Sequence, residues 1–361
     1  MLQAHWKAPL FGLMLAGLAI LQPVVADPVT TLPVGFANLP VPANSDVLVS
    51  VCFARPNVYS GAIGGLNGAI ITAASNPAWV DNSWVRSSPS QPNTYYVQFK
   101  SGNAAGRYYT VVANTAQTVT IDWNGETPAA AAADTFVIVP YWTLGVLYPA
   151  TESGNAFTES SSESARGTEI LFFGQAGLGI NLPASATFYF LSGAWRKAGD
   201  SPSNSFDDTV VKPGSYIIQR NKGTATAVSV YGRVPNGVIS STLSAQGGTA
   251  RQDNPVALSF PGTVTLDNSN LRGSGAFSTS TSPVLHTDEL YVFDNAAPGF
   301  AKAAAAVYFY YNNGWRKVGA PITSDFGATA VFAPGTGVII RKSGTGSGAG
   351  TSYWTYTAMV N

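Results

Sequence analysis

Cysteine, histidine and charged side chains are scarce in this chain of 361 residues. It has one cysteine, two histidines and 11% charged residues, whereas about a quarter of the residues are charged in an average protein. A single cysteine excludes an internal disulfide framework, so stability must come from apolar burial and β pairing. Two histidines and no cysteine pair also exclude the usual zinc sites. The sequence therefore predicts no metal and no other cofactor.

The charges that are present balance, with 19 basic and 19 acidic residues. Nucleic acid binding needs clustered Lys and Arg to neutralise phosphates, so no nucleic acid partner is expected. A weakly charged surface suits self-assembly or contact with neutral polysaccharides of the envelope or matrix. It is equally typical of an ordinary exported β protein with neutral loops.

The first 26 residues have the three-part pattern of a secretory signal. Lys7 precedes an apolar stretch at 10–21, and small residues end at Ala26. The stretch is short for a membrane helix, which needs about 20 residues. We therefore expect cleavage after Ala26, no transmembrane helix in the mature chain, and a location in the periplasm, at the cell surface or in the medium.

Two long stretches of the chain match at a constant offset of 120 residues, 154–197 against 274–317. Such agreement indicates an internal repeat. Both stretches end in the same tripeptide, and its residues mark the repeat: Trp195, Arg196, Lys197, Trp315, Arg316 and Lys317. We interpret each tripeptide as the return strand of a hairpin in which Trp anchors the core and Arg projects from the other face. The alternative is a Trp–Arg platform for a sugar ring.

The start of the second copy, 253–260, resembles 46–53 in the first. In the first copy a long stretch separates this strand from the rest, which indicates an inserted domain. The predicted organisation is a signal peptide (1–26), a Pro-rich segment (27–45), β module copy 1 (46–56 plus 140–235), an inserted small β domain (57–139), a linker (236–249) and β module copy 2 (250–361).

Short runs rich in Tyr, Val, Thr and Ile alternate with Gly- and Asn-containing turns along the chain. Helical patterns are scarce, and the best candidate, 126–136, is short enough to be a single turn or a loop. We predict an all-β protein. It would contain two homologous β-sandwich or barrel-like modules and a small inserted β domain.

Several motifs together resemble those of one family: "LPVGFANLPVPANSDVLVSVCFARP", "YYVQFKSGNAAGRYYTVVANTAQTVTID", "DTFVIVPYWTLGVLYP", "DELYVFDN" and "GWRKVG". The family consists of uncharacterised exported proteins found mainly in verrucomicrobial bacteria. This resemblance covers almost the whole mature chain and implies export and a shared β architecture. It implies no activity, because no catalytic or ligand residues are assigned in that family.

Residues for nucleophilic catalysis or nucleotide binding are few. His286 is the only histidine left after the expected signal cleavage, and nothing in the sequence places it near Cys52, which lies on an apolar strand. The glycine-rich stretches 61–68 and 174–179 lack the spacing of a dinucleotide or phosphate loop. We interpret Cys52 as a small buried hydrophobe and the glycines as turns.

Paired carboxylates are the remaining enzymatic pattern, since glycosidases need only two acids about 5–10 Å apart. The adjacent pairs are 207–208 and 288–289, but neighbours on a strand face opposite sides. Glu169 matches Glu289 in the repeat, which favours a framework interaction. A weak calcium candidate lies in 199–208, with Asp200, Asp207 and Asp208 as ligands, although the EF-hand spacing is missing.

Aromatic residues make up 12% of the chain. Trp79 and Trp84 lie in a segment rich in Pro, Ser and Asn that is typical of a loop. Exposed loop aromatics can stack on sugars, so these two are the candidate ligand-binding platform. The alternative is that they fold back as local core.

The leading functional hypothesis is an exported, non-enzymatic structural or adhesive protein of the cell surface or matrix. A carbohydrate-binding protein, with or without glycan hydrolysis, is the alternative. A further alternative is an outer-membrane β-barrel, because aromatics alternate at 352–360.

Overall fold

The computed structural model describes residues 33–85, 93–127, 129–174, 177–344 and 349–358. Within these ranges the chain is all-β, which confirms the predicted fold class. The helical elements there are short: α1 (Leu144–Leu147) and two 3₁₀ turns, Ala150–Glu152 and Asp267–Ser269. None of these described helices is long and apolar enough to span a membrane. The predicted signal peptide lies outside the described residues.

The described residues form 24 strands. In chain order they are β1 (Val34–Val41), β2 (Ser45–Ser50), β3 (Tyr59–Asn67), β4 (Ile70–Ala73), β5 (Tyr95–Phe99), β6 (Tyr108–Asn114), β7 (Thr118–Ile121), β8 (Thr135–Pro140), β9 (Trp142–Thr143), β10 (Glu169–Phe172), β11 (Ala186–Leu191), β12 (Ala194–Lys197), β13 (Val210–Val211), β14 (Tyr216–Asn221), β15 (Thr226–Arg233), β16 (Gly237–Ala245), β17 (Arg251–Val256), β18 (Val264–Thr265), β19 (Glu289–Val292), β20 (Ala306–Tyr311), β21 (Gly314–Lys317), β22 (Ala330–Phe332), β23 (Val338–Ser343) and β24 (Gly350–Ala358). We name β1, β2 and β9–β15 module 1, β3–β8 the barrel, and β16–β24 module 2.

The two modules have the same strand arrangement. The main sheet of module 1 has the order β12-β11-β10-β14-β2, and that of module 2 has the order β21-β20-β19-β23-β17. Each module adds a two-stranded ribbon, β1-β15 or β16-β24, and a short pair, β9-β13 or β18-β22. This topological equivalence agrees with the sequence repeat, while common ancestry of the two modules stays a prediction.

Each module has its own hydrophobic core around a tryptophan of the repeated tripeptide. Trp195 and Trp315 are 0% and 1% exposed. The ring of Phe157 lies 5.1 Å from that of Trp195 at 51°, and the ring of Phe277 lies 5.1 Å from that of Trp315 at 50°. Because a buried Trp removes a large apolar area from water, these two contacts anchor the two hairpins in the same way.

The hairpins that carry these tryptophans turn through two residues with positive φ, Ser192-Gly193 in module 1 and Asn312-Asn313 in module 2. Positive φ at both central residues is typical of the tight turn whose twist matches paired strands. The same geometry is thus reached with different residues.

The barrel has a core of its own and closes as β3-β4-β7-β6-β5-β8. Inward-facing side chains such as Val97, Phe99 and Phe136 are fully buried. Register shifts in β3, between Ile63 and Gly65, and in β6 provide the local bends that a closed sheet needs. The barrel follows β2 in the chain and precedes β9, although its origin as an insertion stays a prediction.

The modules contact each other through two loops at equivalent positions. The carbonyl of Gly179 accepts the N–H of Asp253 at 2.9 Å, and the carbonyl of Gly299 accepts the N–H of Asp46 at 3.0 Å. Both glycines have φ near +115°, at +114° and +115°. Residues with a side chain rarely adopt this backbone conformation, so glycine is required in each loop. These two loops also cover one edge strand of each main sheet, β17 and β2. This cover limits pairing of the sheet edges with other chains.

Three segments differ from their sequence interpretation. The predicted linker 236–249 contains the nine-residue strand β16. Its Leu243 packs in the core of module 2, while Ser and Thr occupy much of the rest of the strand. Most of the Pro-rich segment 27–45 that the structure describes forms β1, which pairs with β15. The described part of the helical candidate 126–136 contains turns and the start of β8.

Candidate functional site

A cleft of about 580 Å³ lies where the barrel and the two modules meet. It is lined by six aromatic side chains, seven hydroxyl side chains and few charges. The lining residues are Arg107, Tyr108, Tyr109, Thr110, Asn124, Glu126, Phe172, Phe173, Gly174, Ser185, Val210, Lys212, Ser215, Tyr216, Ser240, Thr242, Ser244, Thr351 and Tyr353. The cleft therefore depends on all three parts of the fold.

One glycine allows the barrel to approach module 2 at this cleft. Gly106 has φ +84°, and an added Cβ would lie 2.9 Å from the Val238 side chain and 3.0 Å from the backbone of Ser240. Any side chain at position 106 would push β16 away from the barrel. The start of β6 is thereby held against the ribbon β16-β24.

Three side chains form a polar arrangement across this contact. The Arg107 guanidinium stacks 3.7 Å from the centroid of the Tyr353 ring. The Tyr353 hydroxyl donates a hydrogen bond to Glu126, and the Tyr109 hydroxyl donates to the same carboxylate at 3.3 Å. A cation stacked on an aromatic ring and a carboxylate held by two phenols keep their geometry without a ligand.

The tyrosines of the cleft remain neutral donors over a wide pH range. Burial and the hydrogen bond to Glu126 raise the pKa of Tyr353. Burial and the nearby Glu126 charge likewise raise the pKa of Tyr109. Burial raises the pKa of Tyr108, whose hydroxyl donates to the Pro213 carbonyl at 2.9 Å. These groups can donate hydrogen bonds but are not suited to act as bases at neutral pH.

The module 1 side of the cleft is aromatic. The rings of Phe173 and Tyr216 lie 6.2 Å apart, and Phe172 packs 5.1 Å from Phe188. Lys212 also lines the cleft and has no ion pair among the residues that the structure describes. Aromatic faces and scattered hydroxyls recognise a ring with many hydroxyl groups.

Hydrolysis of a glycosidic bond needs two carboxyl groups about 5–10 Å apart. Among the described residues that line the cleft, Glu126 is the only carboxylate. Its oxygens already accept bonds from Tyr109 and Tyr353. Among the described residues, the cleft lining therefore does not hold the two carboxyl groups that this reaction needs.

The two loop tryptophans lie in the barrel and not on an exposed platform. Trp84 is 8% exposed, and its ring packs 4.8 Å from that of the half-buried Trp79. Trp79 in turn contacts Tyr59 at 4.7 Å. Both belong to the barrel core cluster, because the segment folds back and removes their apolar area from water.

The calcium candidates do not converge on one ion. Asp207 accepts the backbone N–H of Trp195 at 2.8 Å, and Asp200 accepts the Asn204 amide at 2.9 Å. The hydrogen bond from Asn204 lowers the pKa of Asp200. Across the described residues, including Asp208, no three His, Cys, Asp or Glu side chains are placed to hold a metal ion. Asp207 instead supports the hairpin of the repeat.

The charged residues of the repeated tripeptides also support the hairpins. Arg196 Nε donates to the Leu191 carbonyl at 3.2 Å, and Arg316 donates to the carbonyls of Ser324 and Asn312 at 2.9 and 3.2 Å. The Lys197 ammonium lies 6.0 Å from the Phe206 ring, and Lys317 is half-buried at the end of β21. None of these residues lines the cleft.

The remaining chemical candidates are separated as well. Cys52 is fully buried in the core of module 1, and burial raises the pKa of its thiol to about 11. His286 belongs to module 2, where its ring stacks 3.8 Å from Phe309 and its Nδ1 lies 2.9 Å from Glu289. Glu169 contacts Arg166 and Lys222 in module 1, a framework role like that of Glu289.

Sequence reasoning missed the cleft residues because they come from seven separate stretches of the chain and follow no motif. The only sequence signal was compositional, an excess of Tyr, Ser and Thr with few charges. Arg107 and Tyr353 are 246 positions apart in the chain, so their stacking depends on the tertiary fold.

Comparison with protein-family models, with curated proteins and with solved structures gives no match for this chain. The resemblance to the exported verrucomicrobial family therefore stays a prediction.

Proposed function

We propose that this protein is exported and acts as a non-enzymatic adhesive or structural protein that holds an envelope or matrix polysaccharide in the three-part cleft. The observation that carries the proposal is the lining of the cleft, where aromatic rings and hydroxyl groups surround a single, already bonded carboxylate. A volume of about 580 Å³ fits within the usual range of about 300–1,000 Å³ for ligand pockets. The secretory signal predicted for residues 1–26 supports export.

Stacking and hydrogen bonding would divide the work of recognition. The rings of Phe173 and Tyr353 offer apolar surface for sugar rings, and the Ser and Thr hydroxyls of β16 offer donors and acceptors. Arg107 fixes the orientation of Tyr353 by stacking on it. Because these contacts form before the ligand arrives, little ordering entropy is lost on binding.

The test is binding of the mature chain to an array of bacterial and matrix polysaccharides, followed by calorimetric titration of the hits. Tyr353→Ala should weaken binding by about tenfold or more, since a stacked ring contributes about 1–3 kcal/mol. The matched control is Tyr291→Ala, which removes a similar Arg–Tyr stack, with Arg341 at 4.5 Å, outside the cleft.

An array without any hit would remove this proposal, as would equal effects of the two Tyr→Ala variants. We expect no release of reducing sugar from any polysaccharide that binds. Hydrolysis that depends on Glu126 would contradict the non-enzymatic role and assign a catalytic role to the cleft. Cell fractionation checks export, because the proposal requires the mature chain outside the inner membrane.

A further inference from the structure

A second, smaller pocket of about 40 Å³ adjoins the cleft. Tyr108 and Ser240 line both spaces. By the same measure one water needs about 10–15 Å³, so the small pocket has room for a group of a few heavy atoms. A whole sugar ring does not fit in it.

The small pocket is lined by two cations and no carboxylate. Lys100 comes from the barrel and Arg233 from the end of β15 in module 1. Within the part of the chain that the structure describes, neither has an ion pair, and the Lys100 ammonium bonds only to the Asn236 carbonyl, at 3.0 Å. Burial and the repulsion from Arg233 lower the pKa of Lys100. Two cations are therefore close together without an opposite charge.

Two polar atoms at this pocket are buried without a partner. Arg233 Nε and Ser240 Oγ have no hydrogen bond in the described residues, and Ser240 is 5% exposed. An unpaired buried donor is costly, and most such groups find a partner. Both atoms can donate, so the partner that satisfies them is an acceptor, and the two cations require it to be negative.

We propose that this pocket binds the carboxylate of an acidic sugar residue whose polysaccharide lies in the adjoining cleft. The proposal rests on the proposed function and refines it from polysaccharides in general to those that contain uronic acid. The carboxylate is planar and matches the fork of a guanidinium, and it accepts bonds from several donors at once. A neutral sugar would leave Arg233 Nε and both charges uncompensated.

The experiment is titration of the full mature chain with oligomers of galacturonate, glucuronate, mannuronate and guluronate, each beside its neutral, carboxyl-reduced form. At least one uronate should bind about tenfold to a hundredfold more tightly than its reduced form, since hydrogen bonds to charged groups are the strong ones. Arg233→Gln should abolish this ratio while binding of the reduced form persists. Lys222→Gln, which also removes one cation but outside the pocket, should keep the ratio.

Two further variants guard against misfolding. Arg233→Lys keeps the charge and should retain part of the ratio. Ser240→Ala should leave the melting temperature of the free protein unchanged or higher, because its hydroxyl has no protein partner, and should still weaken uronate binding. A Ser240→Ala variant that is clearly less stable without ligand would mean that the hydroxyl has a structural role, against the proposal.

The outcomes separate this inference from the proposed function. If reduced oligomers bind as tightly as uronates, the anion pocket is excluded and the cleft remains. If sulfate alone raises the melting temperature through Arg233 and no uronate is preferred, the pocket serves a free oxyanion and the sugar assignment is wrong. If no oligomer or polysaccharide binds, the proposed function itself fails.

Discussion

Modules 1 and 2 have the same strand order but satisfy the same buried carbonyl in different ways. In module 1 the Ala156 carbonyl accepts the amide of Gln219 at 2.7 Å, and Tyr148 donates to that amide's oxygen at 3.0 Å. In module 2 the Ala276 carbonyl, 120 positions later, accepts the ammonium of Lys342 at 2.7 Å, and Lys342 pairs with Asp288.

The second solution places two opposite charges where the first has a neutral amide. Lys342 is 1% exposed and Asp288 is 0% exposed. Asp288 also accepts the backbone N–H of Ser278 at 2.7 Å and of Ser343 at 2.9 Å, which compensates its lost hydration. A buried ion pair gains little over a neutral network, but losing one member is severe. Module 2 should therefore be more sensitive to single substitutions, without being more stable.

The largest effect is expected for Lys342→Met, which leaves the Asp288 carboxylate buried without its cation. We expect a loss of about 3–5 kcal/mol in the free energy of unfolding of module 2. The counterpart in module 1, Gln219→Leu, leaves only neutral groups unpaired and should cost about 1–3 kcal/mol. Native-state hydrogen exchange measures each module separately, through β19 and β23 for module 2 and through β10 and β14 for module 1.

The double variant K342M/D288T is the control for this prediction. Thr168 stands at the equivalent place in module 1 and accepts the N–H of Thr158 at 2.9 Å, so Thr at 288 keeps one acceptor and removes the charge. Much of the lost stability should return. Equal losses for Lys342→Met and Gln219→Leu would show that the charge of the pair is unimportant.

A smaller effect is expected where the modules support the same backbone group from different sequence positions. Asp207 accepts the N–H of Trp195 at 2.8 Å, and Asp325 accepts the N–H of Trp315 at 3.0 Å. The aspartate follows Phe206 in module 1 but precedes Phe326 in module 2. Asp207→Ala and Asp325→Ala should each cost about 1–2 kcal/mol, measured by urea unfolding. If Asp207→Ala left the free energy of unfolding unchanged while Asp325→Ala lowered it, the two aspartates would not have equivalent roles in the two modules.

Glu289 of module 2 gives a pH-dependent prediction. Burial raises the pKa of Glu289. The hydrogen bonds from His286 and Tyr291 and the charge of Arg251 lower this pKa by more than burial raises it, so the pKa lies below its ordinary value. Because the folded pKa is the lower one, the charge stabilises the fold above the unfolded pKa, about 4.3, and this stability is lost as the pH falls through the folded pKa.

Glu289→Gln should therefore reduce stability near neutral pH by about 1 kcal/mol or less, and the difference should shrink as the pH falls below about 4.3. Thermal unfolding from pH 7 to pH 3 measures this, with Glu169→Gln as the matched variant in module 1. If the stability difference between the wild type and Glu289→Gln grew as the pH falls, the pKa of Glu289 would be shifted in the opposite direction. That result would contradict the ion pairing.

The smallest effect is expected on the ribbon of module 1. Phe36 and Tyr231 face each other across β1 and β15 and are 79% and 58% exposed. The serine double variant at these positions should change the free energy of unfolding by about 0.5 kcal/mol or less and leave polysaccharide binding unchanged. The equivalent ribbon of module 2 lines the cleft, whereas this ribbon does not. Loss of polysaccharide binding in this variant would contradict that difference between the two ribbons.

The sequence predicts the all-β class and the equivalent hairpins because strand alternation, turn residues and a buried Trp are local signals. Trp195 and Trp315 could be matched at once, since the offset between the copies is constant there. Strand β16 was missed because Ser240, Thr242 and Ser244 face the cleft. The apolar signal that remains in the strand is weak and comes mainly from Val238, Ile239 and Leu243. A strand whose outer face serves a site thus has the composition of a linker.

The site itself could not be predicted, for a different reason. Trp79 and Trp84 carry the usual signal of an exposed platform, yet burial in the barrel core gains more than exposure would. Arg107, Glu126 and Tyr353 carry no local pattern, and their contact depends on Gly106 allowing the barrel to lie against β16. Chemistry assembled between parts of a fold is visible only when the parts are in place.

Hydrogen exchange of the mature chain, with and without the tightest-binding oligosaccharide from the panel, tests the central claim most directly. Our account predicts slower exchange at the start of β6 and along β16 and β24, with β1 and β15 unaffected. Protection on β1 and β15, or no protection at the meeting point of barrel and modules in a sample saturated with ligand, would contradict it.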